Sequence, residues 1–333
     1  MCTGRCRSRE NAVSRRGWVL FALMSVIWGI PYLMIKVAVE GGVSVPVLVF
    51  ARCAIGALVL LPLALRGGGL AGMVRRHWVA LGAFATLEIL IPWWLLSDAE
   101  RRLSSSMTGL LIAASPIVAV LLVRLAGGTD RLGARQWAGL MLGFAGVAVL
   151  AAPELRGGDT WSIIEVLLTA CGYATAPLFA SRWLKDVPAL PMTAVCLTFA
   201  ALVYTPPAVL TWPDAVPSGR VLAAVAGLAV ICTALAFVVY FALIREVGPS
   251  RALVFTYVNP AVAVLAGVLF LSEPLTLTIT YSFVLILGGS LLAMTRQTPG
   301  DTDTEPRPAE PAEPTPRPTT PPATCPAVTP EPC

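Results

Sequence analysis

Apolar residues in this chain do not alternate with polar ones; they come in long blocks that are apolar on every side. Each block runs for roughly 20 residues, the length that spans about 30 Å of hydrocarbon as an α-helix. A soluble helix keeps a polar face at helical period, and a membrane strand alternates at period two; the blocks show neither. They predict helices over residues 18–39, 45–65, 78–98, 103–125, 136–152, 161–183, 189–211, 220–243, 250–271 and 276–294. The expected fold class is therefore all-α, with ten transmembrane helices. The shortest block is the fifth, and the tightest link is the SDAERR stretch between the third and fourth.

Charge gives this count a direction. Of the 333 residues 56% are hydrophobic and only 13% charged, against roughly 25% charged in soluble domains. The net charge of +5 comes from Lys and Arg lying between the blocks, so it reports topology and not a nucleic-acid partner. With the N-terminus placed in the cytoplasm, the inner segments hold 16 basic residues (Arg5, Arg7, Arg9, Arg15, Arg16, Arg66, Arg75, Arg76, Arg124, Arg131, Arg135, Arg182, Lys185, Arg245, Arg251 and Arg296). The outer loops hold four: Arg101, Arg102, Arg156 and Arg220. One span more or fewer would erase that contrast. Both termini are expected on the cytoplasmic side of the cell membrane.

Cysteine usage changes little. Eight Cys are scattered, several inside apolar blocks, and Cys2 and Cys6 with a single His cannot make a four-ligand zinc site. No metal or cofactor is expected. The first block is too long for a cleavable signal, and Cys333 is not in a prenylation box. Residues 1–17 form a basic cytoplasmic segment. From Gln297 to Cys333 the chain is rich in Pro, Thr and Glu with no apolar period, which predicts a disordered cytoplasmic tail.

The chain also repeats itself. ERRLSSSMTGLLIAASPIVAVLLVRL around Pro116 aligns with IREVGPSRALVFTYVNPAVAVLAGVLF around Pro260, with PIVAVL on PAVAVL. Pro31 matches Pro177, and Pro46 matches Pro191. The units are 18–152 and 161–295. A repeat of five spans is odd, so the second copy enters the membrane inverted, an architecture recurrent in secondary transporters.

At these residues the chain resembles the EamA family of the drug/metabolite transporter superfamily. The resemblance rests on WGIPYLMIKVA, PVLVFARCAIGALVLLP, SSSMTGLLIAASPIVAVLL and VGPSRALVFTYVNPAVAVLAGVLFLSEPLT in order, and covers about residues 18 to 295. It implies ten spans with both ends inside and transport of small metabolites, amino acids often among them. Two departures stand out: Thr129 occupies the place that Glu273 holds in the second half, and Tyr173 and Ala174 replace a common tryptophan.

Ionisable residues inside a span are costly, about 2.5–3.5 kcal/mol at a helix centre, and tend to mark function. Arg52 and Glu88 lie well inside their blocks, roughly 10 and 15 Å below the outer face at 1.5 Å per residue. They are expected to be able to pair. One reading is a static ion pair between the second and third helices; the other is that Glu88 lines a cavity and binds an ammonium group or a proton. The counterpart position near Thr233 is uncharged. Trp28, Trp93, Tyr173 and Tyr257 lie deep enough to form cavity walls, although ordinary packing would also place them there. Asn259 sits beside Pro260 and joins the candidate substrate-binding or coupling set. Pro116 and Pro260 are candidate hinges, or kinks that only fit the helices together.

The expected function is secondary transport, in the export direction, of a small metabolite such as an amino acid, by alternating access between the halves. No Walker A sequence is present. A proton or counter-substrate is the expected energy source, and the chain is not read as an enzyme. The alternative is a membrane-embedded enzyme acting on a lipid or lipid-linked substrate, against which stands the lack of a zinc, elbow or loop-carboxylate motif. A third option is a channel or a structural subunit, for which no filter sequence is seen. The expected partners are a small-molecule substrate, the lipid bilayer and no nucleic acid, with a homodimer as a further candidate.

Overall fold

The computed structural model describes residues 14–125, 133–157, 160–248 and 252–293, and these are helical with no strands among them. The tail from 297, most of the basic segment 1–17 and Thr129 lie outside the described residues. Eight helices are long and apolar enough to cross a membrane: α1 (Arg15–Glu40), α2 (Val45–Leu65), α3 (Leu70–Ala99), α4 (Ser105–Leu122), α5 (Ala134–Pro153), α6 (Thr160–Trp183), α7 (Ala189–Leu210) and α8 (Gly219–Val247). Two shorter apolar helices follow, α9 (Phe255–Leu271) and α10 (Leu277–Ala293).

Serines at the ends of the apolar blocks start three of these helices. Ser14, Ser44 and Ser104 are N-caps whose hydroxyls accept from the backbone N–H of Gly17, Val47 and Met107. Each satisfies a donor that the first turn leaves open. Helix α3 begins at Leu70, earlier than the expected 78, because Arg75 and Arg76 continue the helix while staying exposed. Hydropathy marks where the hydrocarbon begins, not where the helix does.

Three helices are interrupted at a proline. In α1, Trp28–Ile30 separates Arg15–Ile27 from Pro31–Glu40. In α4, Ala113 and Ala114 separate Ser105–Ile112 from Ser115–Leu125, so Pro116 stands second in a fresh helix. In α9, a 3-10 turn over Leu253–Tyr257 precedes Asn259–Leu271, with Pro260 in the opening turn. Proline is tolerated there because a first-turn N–H has no partner to lose. Pro177, the counterpart of Pro31, sits inside α6 without breaking it.

Two further irregularities are matched. Helix α3 contains a π-helical turn at Thr86–Leu90, and α8 contains one at Val230–Leu235. Their causes differ. Pro92 has no N–H for the carbonyl of Glu88, so the first turn lacks an α-helical bond. In the second, the Thr233 hydroxyl donates to the carbonyl of Leu228 at 2.9 Å, five residues back.

Contacts between chain ends sort the connections onto two faces. Ser44 bonds Thr211, Lys36 bonds the carbonyl of Glu100, and Glu273 bonds Ser105 and Ser106 at one end. At the other end Ser14 bonds Glu246. Helices α5 and α10 pack face to face through glycine: a Cβ on Gly289 would stand 2.7 Å from the carbonyl oxygen of Gly139. Small residues at such a seam let membrane helices make backbone contact.

Candidate functional site

Arg52 points from α2 into the middle of the bundle and is 5% exposed. Its guanidinium lies 3.8 Å from the centroid of the Trp93 ring on α3, and its Nε donates to Thr233 Oγ1 on α8 at 3.4 Å. The planar cation thus rests on an aromatic face, an arrangement that suits Arg better than Lys. Its Nη1 is buried and has no hydrogen-bond partner. A buried donor left open costs about 1–3 kcal/mol, more when charged.

Glu88 lies in the π-turn of α3, and its Oε2 is likewise sealed from solvent without a partner. The pairing with Arg52 expected from depth alone does not form: no ion pair joins the two residues among those described. Two facts explain this. Arg52 is held by Trp93 and Thr233, and the π-turn rotates the Glu88 side chain relative to a regular helix. Each residue is therefore buried with one polar atom left open, Arg52 Nη1 and Glu88 Oε2.

Tyr173 connects them. It lies on α6, partly buried, within Coulombic reach of both Glu88 and Arg52. Gly172 makes this approach feasible, since a Cβ there would stand 2.6 Å from the carbonyl oxygen of Leu87 in the π-turn. Tyr32 from α1, 9% exposed, faces Tyr173 and Arg52 at similar range. The cluster therefore draws on α1, α2, α3, α6 and α8, from both halves of the chain.

The other expected residues lie beside it. Trp28, at the break in α1, packs against Phe237, Tyr240 and Phe255 with ring centroids 5.2 to 5.8 Å apart. Tyr240 is in turn within Coulombic reach of Glu88, so this aromatic group borders the cluster. Asn259, with its amide assigned to satisfy both acceptors, donates to the carbonyls of Ser25 and Phe255 at 3.1 Å. That bond ties the break in α9 to α1 and gives Asn259 a structural task. Tyr257 is partly buried nearby on the same turn.

Sequence reasoning missed Tyr32, Thr233 and Glu100. Thr233, the uncharged counterpart of Glu88, accepts from Arg52 Nε through its hydroxyl. Among the described residues no group of three or more His, Cys, Asp or Glu could hold a metal ion.

Comparison with known proteins gives this arrangement its setting. The EamA-like transporter family matches the chain twice, over residues 15–152 and 160–295. The inner membrane transporter YedA of Escherichia coli K12, itself uncharacterized, is 30% identical over 254 residues, covering 74% of this chain and 80% of YedA. The uncharacterized transporter YvbV of Bacillus subtilis is 26% identical, covering 84% of this chain and 91% of its own. A crystal structure of another protein shares the fold with a TM-score of 0.58 at 20% identity, over 84% of this chain and 96% of that one. Two family repeats over nearly all the apolar helices mean that this multi-pass membrane protein belongs to the EamA-like transporter family.

Proposed function

We propose that the chain is a secondary transporter that exports a small zwitterionic metabolite of the amino-acid class, by alternating access between two inverted five-helix repeats. The observation that carries this reading is the unpaired state of Arg52 and Glu88. Arg52 Nη1 offers a donor to a carboxylate, and Glu88 Oε2 offers an acceptor to an ammonium or a proton. Trp93 and Tyr173 supply aromatic walls for the apolar part of the ligand. A zwitterion bound across the two charges satisfies both at once, and neither is left buried alone.

Alternating access requires elements with two discrete arrangements. The breaks at Pro116 and Pro260 occur at matched places in α4 and α9, which supports their assignment as hinges. The sorting of helix ends onto two faces supports ten crossings with both termini on one side. The basic residues between spans favour the cytoplasm for that side.

The test is counterflow of radiolabelled amino acids in proteoliposomes holding the full chain. A carrier gives saturable uptake that is stimulated by unlabelled substrate inside, whereas a channel gives flux linear in concentration. Failure of every amino acid tested, together with flux of none of their analogues, would overturn the substrate class.

A further inference from the structure

Glu100 looks from the sequence like a solvated residue in a polar turn. It is the C-cap of α3, one residue beyond that helix, and its exposure is 0%. Both of its carboxyl oxygens are buried and neither has a hydrogen-bond partner. Its backbone is fixed: the carbonyl accepts from Lys36 Nζ at 2.9 Å, and its N–H donates to the carbonyl of Leu96 at 3.1 Å. The side chain therefore cannot swing to water without undoing the α3–α4 turn.

The neighbours that could neutralise it are committed elsewhere. Lys36 spends its ammonium on that carbonyl and on Glu40 Oε1 at 3.2 Å. Arg101 and Arg102 on the same turn bond Asp98, and Arg102 also bonds Glu165 and Ser162 of α6. From α9–α10, Glu273 faces Glu100 with a second carboxylate, but it is fully used: one oxygen takes Ser105 N at 2.7 Å and Ser105 Oγ, the other takes Ser106 N at 3.0 Å and Ser106 Oγ. Arg52 of α2, Tyr32 of α1 and Tyr173 of α6 lie within Coulombic reach of Glu100 from the interior side.

Two carboxyl groups thus lie within Coulombic reach of each other, one holding four hydrogen bonds and one with no partner. Like charges that share a site do not both ionise readily. Burial holds the Glu100 carboxyl well above the usual carboxylate range; Lys36 and Arg52 oppose this, and Glu273 adds to it.

We propose that Glu100 is a proton-binding site that couples transport to a proton gradient, carried by a different carboxyl from Glu88 and bordering the interior cluster through Arg52, Tyr32 and Tyr173. The proposal rests on the carrier reading above. In the neutral form Glu100 stays buried and Lys36 remains on its carbonyl and Glu40. When the α3–α4 turn opens to the aqueous side the proton leaves to water, and the new carboxylate then lies beside the ammonium of Lys36, which turns from Glu40 toward it. Lys36 stands on Pro31–Glu40, the segment of α1 that follows the break, so this exchange moves that segment against the α3–α4 turn. One proton bound or released changes the charge of the site by one, with no other reactant.

The test has two arms on the full chain in phospholipid vesicles. In the first, infrared difference spectra between acid and alkaline buffer are recorded with no substrate. Wild type is expected to show a protonated-carboxyl band that persists above the usual carboxylate range. Glu100→Gln loses the Glu100 component of that signal, Glu100→Asp keeps the component with a shifted titration, and Glu88→Gln, which removes the other buried carboxyl with an open oxygen, leaves the Glu100 component in place. A Glu100→Gln spectrum that superimposes on wild type overturns the proposal.

In the second arm, flux of radiolabelled amino acids is compared with and without an imposed pH gradient. Glu100→Gln is expected to keep counterflow and to lose acceleration by the gradient. Retained acceleration, or loss of counterflow together with acceleration, overturns the coupling role. Absence of all flux in wild type would count against the carrier reading alone, because the spectral arm needs no substrate.

Discussion

The π-turns of α3 and α8 occupy matching places in the two repeats, and only one carries charge. At Thr86–Leu90 the turn holds Glu88 with an open carboxylate oxygen; at Val230–Leu235 it holds Thr233, whose hydroxyl is used twice, by Leu228 and by Arg52. The turn itself is shared by both halves and so belongs to the architecture. The carboxylate is particular to one half and so points to the chemistry. The second turn instead holds Arg52: the Thr233 hydroxyl accepts from its Nε, with the guanidinium over Trp93.

That division can be broken in graded ways. The largest effect is expected from Glu88→Gln, which keeps the shape and removes the charge; transport should fall by at least about tenfold, or ~1.4 kcal/mol, while the folded protein still accumulates. Thr233→Glu moves a carboxylate to the opposite turn, beside Arg52 Nε. It should form the ion pair that the wild type avoids and slow transport several-fold, measured as a raised half-saturation concentration. Gly289→Leu forces a side chain into the α5–α10 seam and should destabilise the fold by about 1–3 kcal/mol, read by thermal unfolding in detergent. This variant leaves the cluster alone, so its transport per folded molecule should be near wild type.

A smaller effect tests the buried carboxyl at the end of α3. A carboxyl whose folded value is raised binds a proton that the unfolded chain has already released. Its contribution to stability is complete below the ordinary value of about 4.3 and is lost as pH rises through the raised folded value. Glu100→Gln should therefore unfold at a higher temperature than wild type, with a gap that is wider near pH 8 than near pH 5, about the window in which carboxyls with raised values titrate. Thr233→Val removes the hydroxyl's two hydrogen bonds, with Leu228 and with Arg52, and should cost about 0.5–1.5 kcal/mol for each.

The fold was largely readable from the chain because a bilayer leaves few options: apolar blocks of one length must be helices. Their boundaries in polar turns were less so, as the early start of α3 shows. Of the site, Arg52, Glu88, Trp93 and Tyr173 were visible as polar or aromatic residues inside apolar blocks, and the structure brings them to one place. Whether Arg52 and Glu88 pair was not legible, since depth along a helix says nothing about rotation, and a π-turn changes rotation by an extra residue. Glu100 was hidden for the opposite reason: DAERR has the composition of a solvated loop, and only the tertiary fold buries its side chain. Thr233 and Tyr32 carry no sequence signal apart from polarity in a span.

The central claim is that the unpaired carboxylate of α3, and not the π-turn as such, carries the substrate. It is tested most directly by counterflow of the transported amino acid in proteoliposomes of wild type, Glu88→Gln and Thr233→Val. The account predicts loss in Glu88→Gln and near-wild-type rates at saturating substrate in Thr233→Val. Undiminished counterflow in a folded Glu88→Gln protein would contradict it.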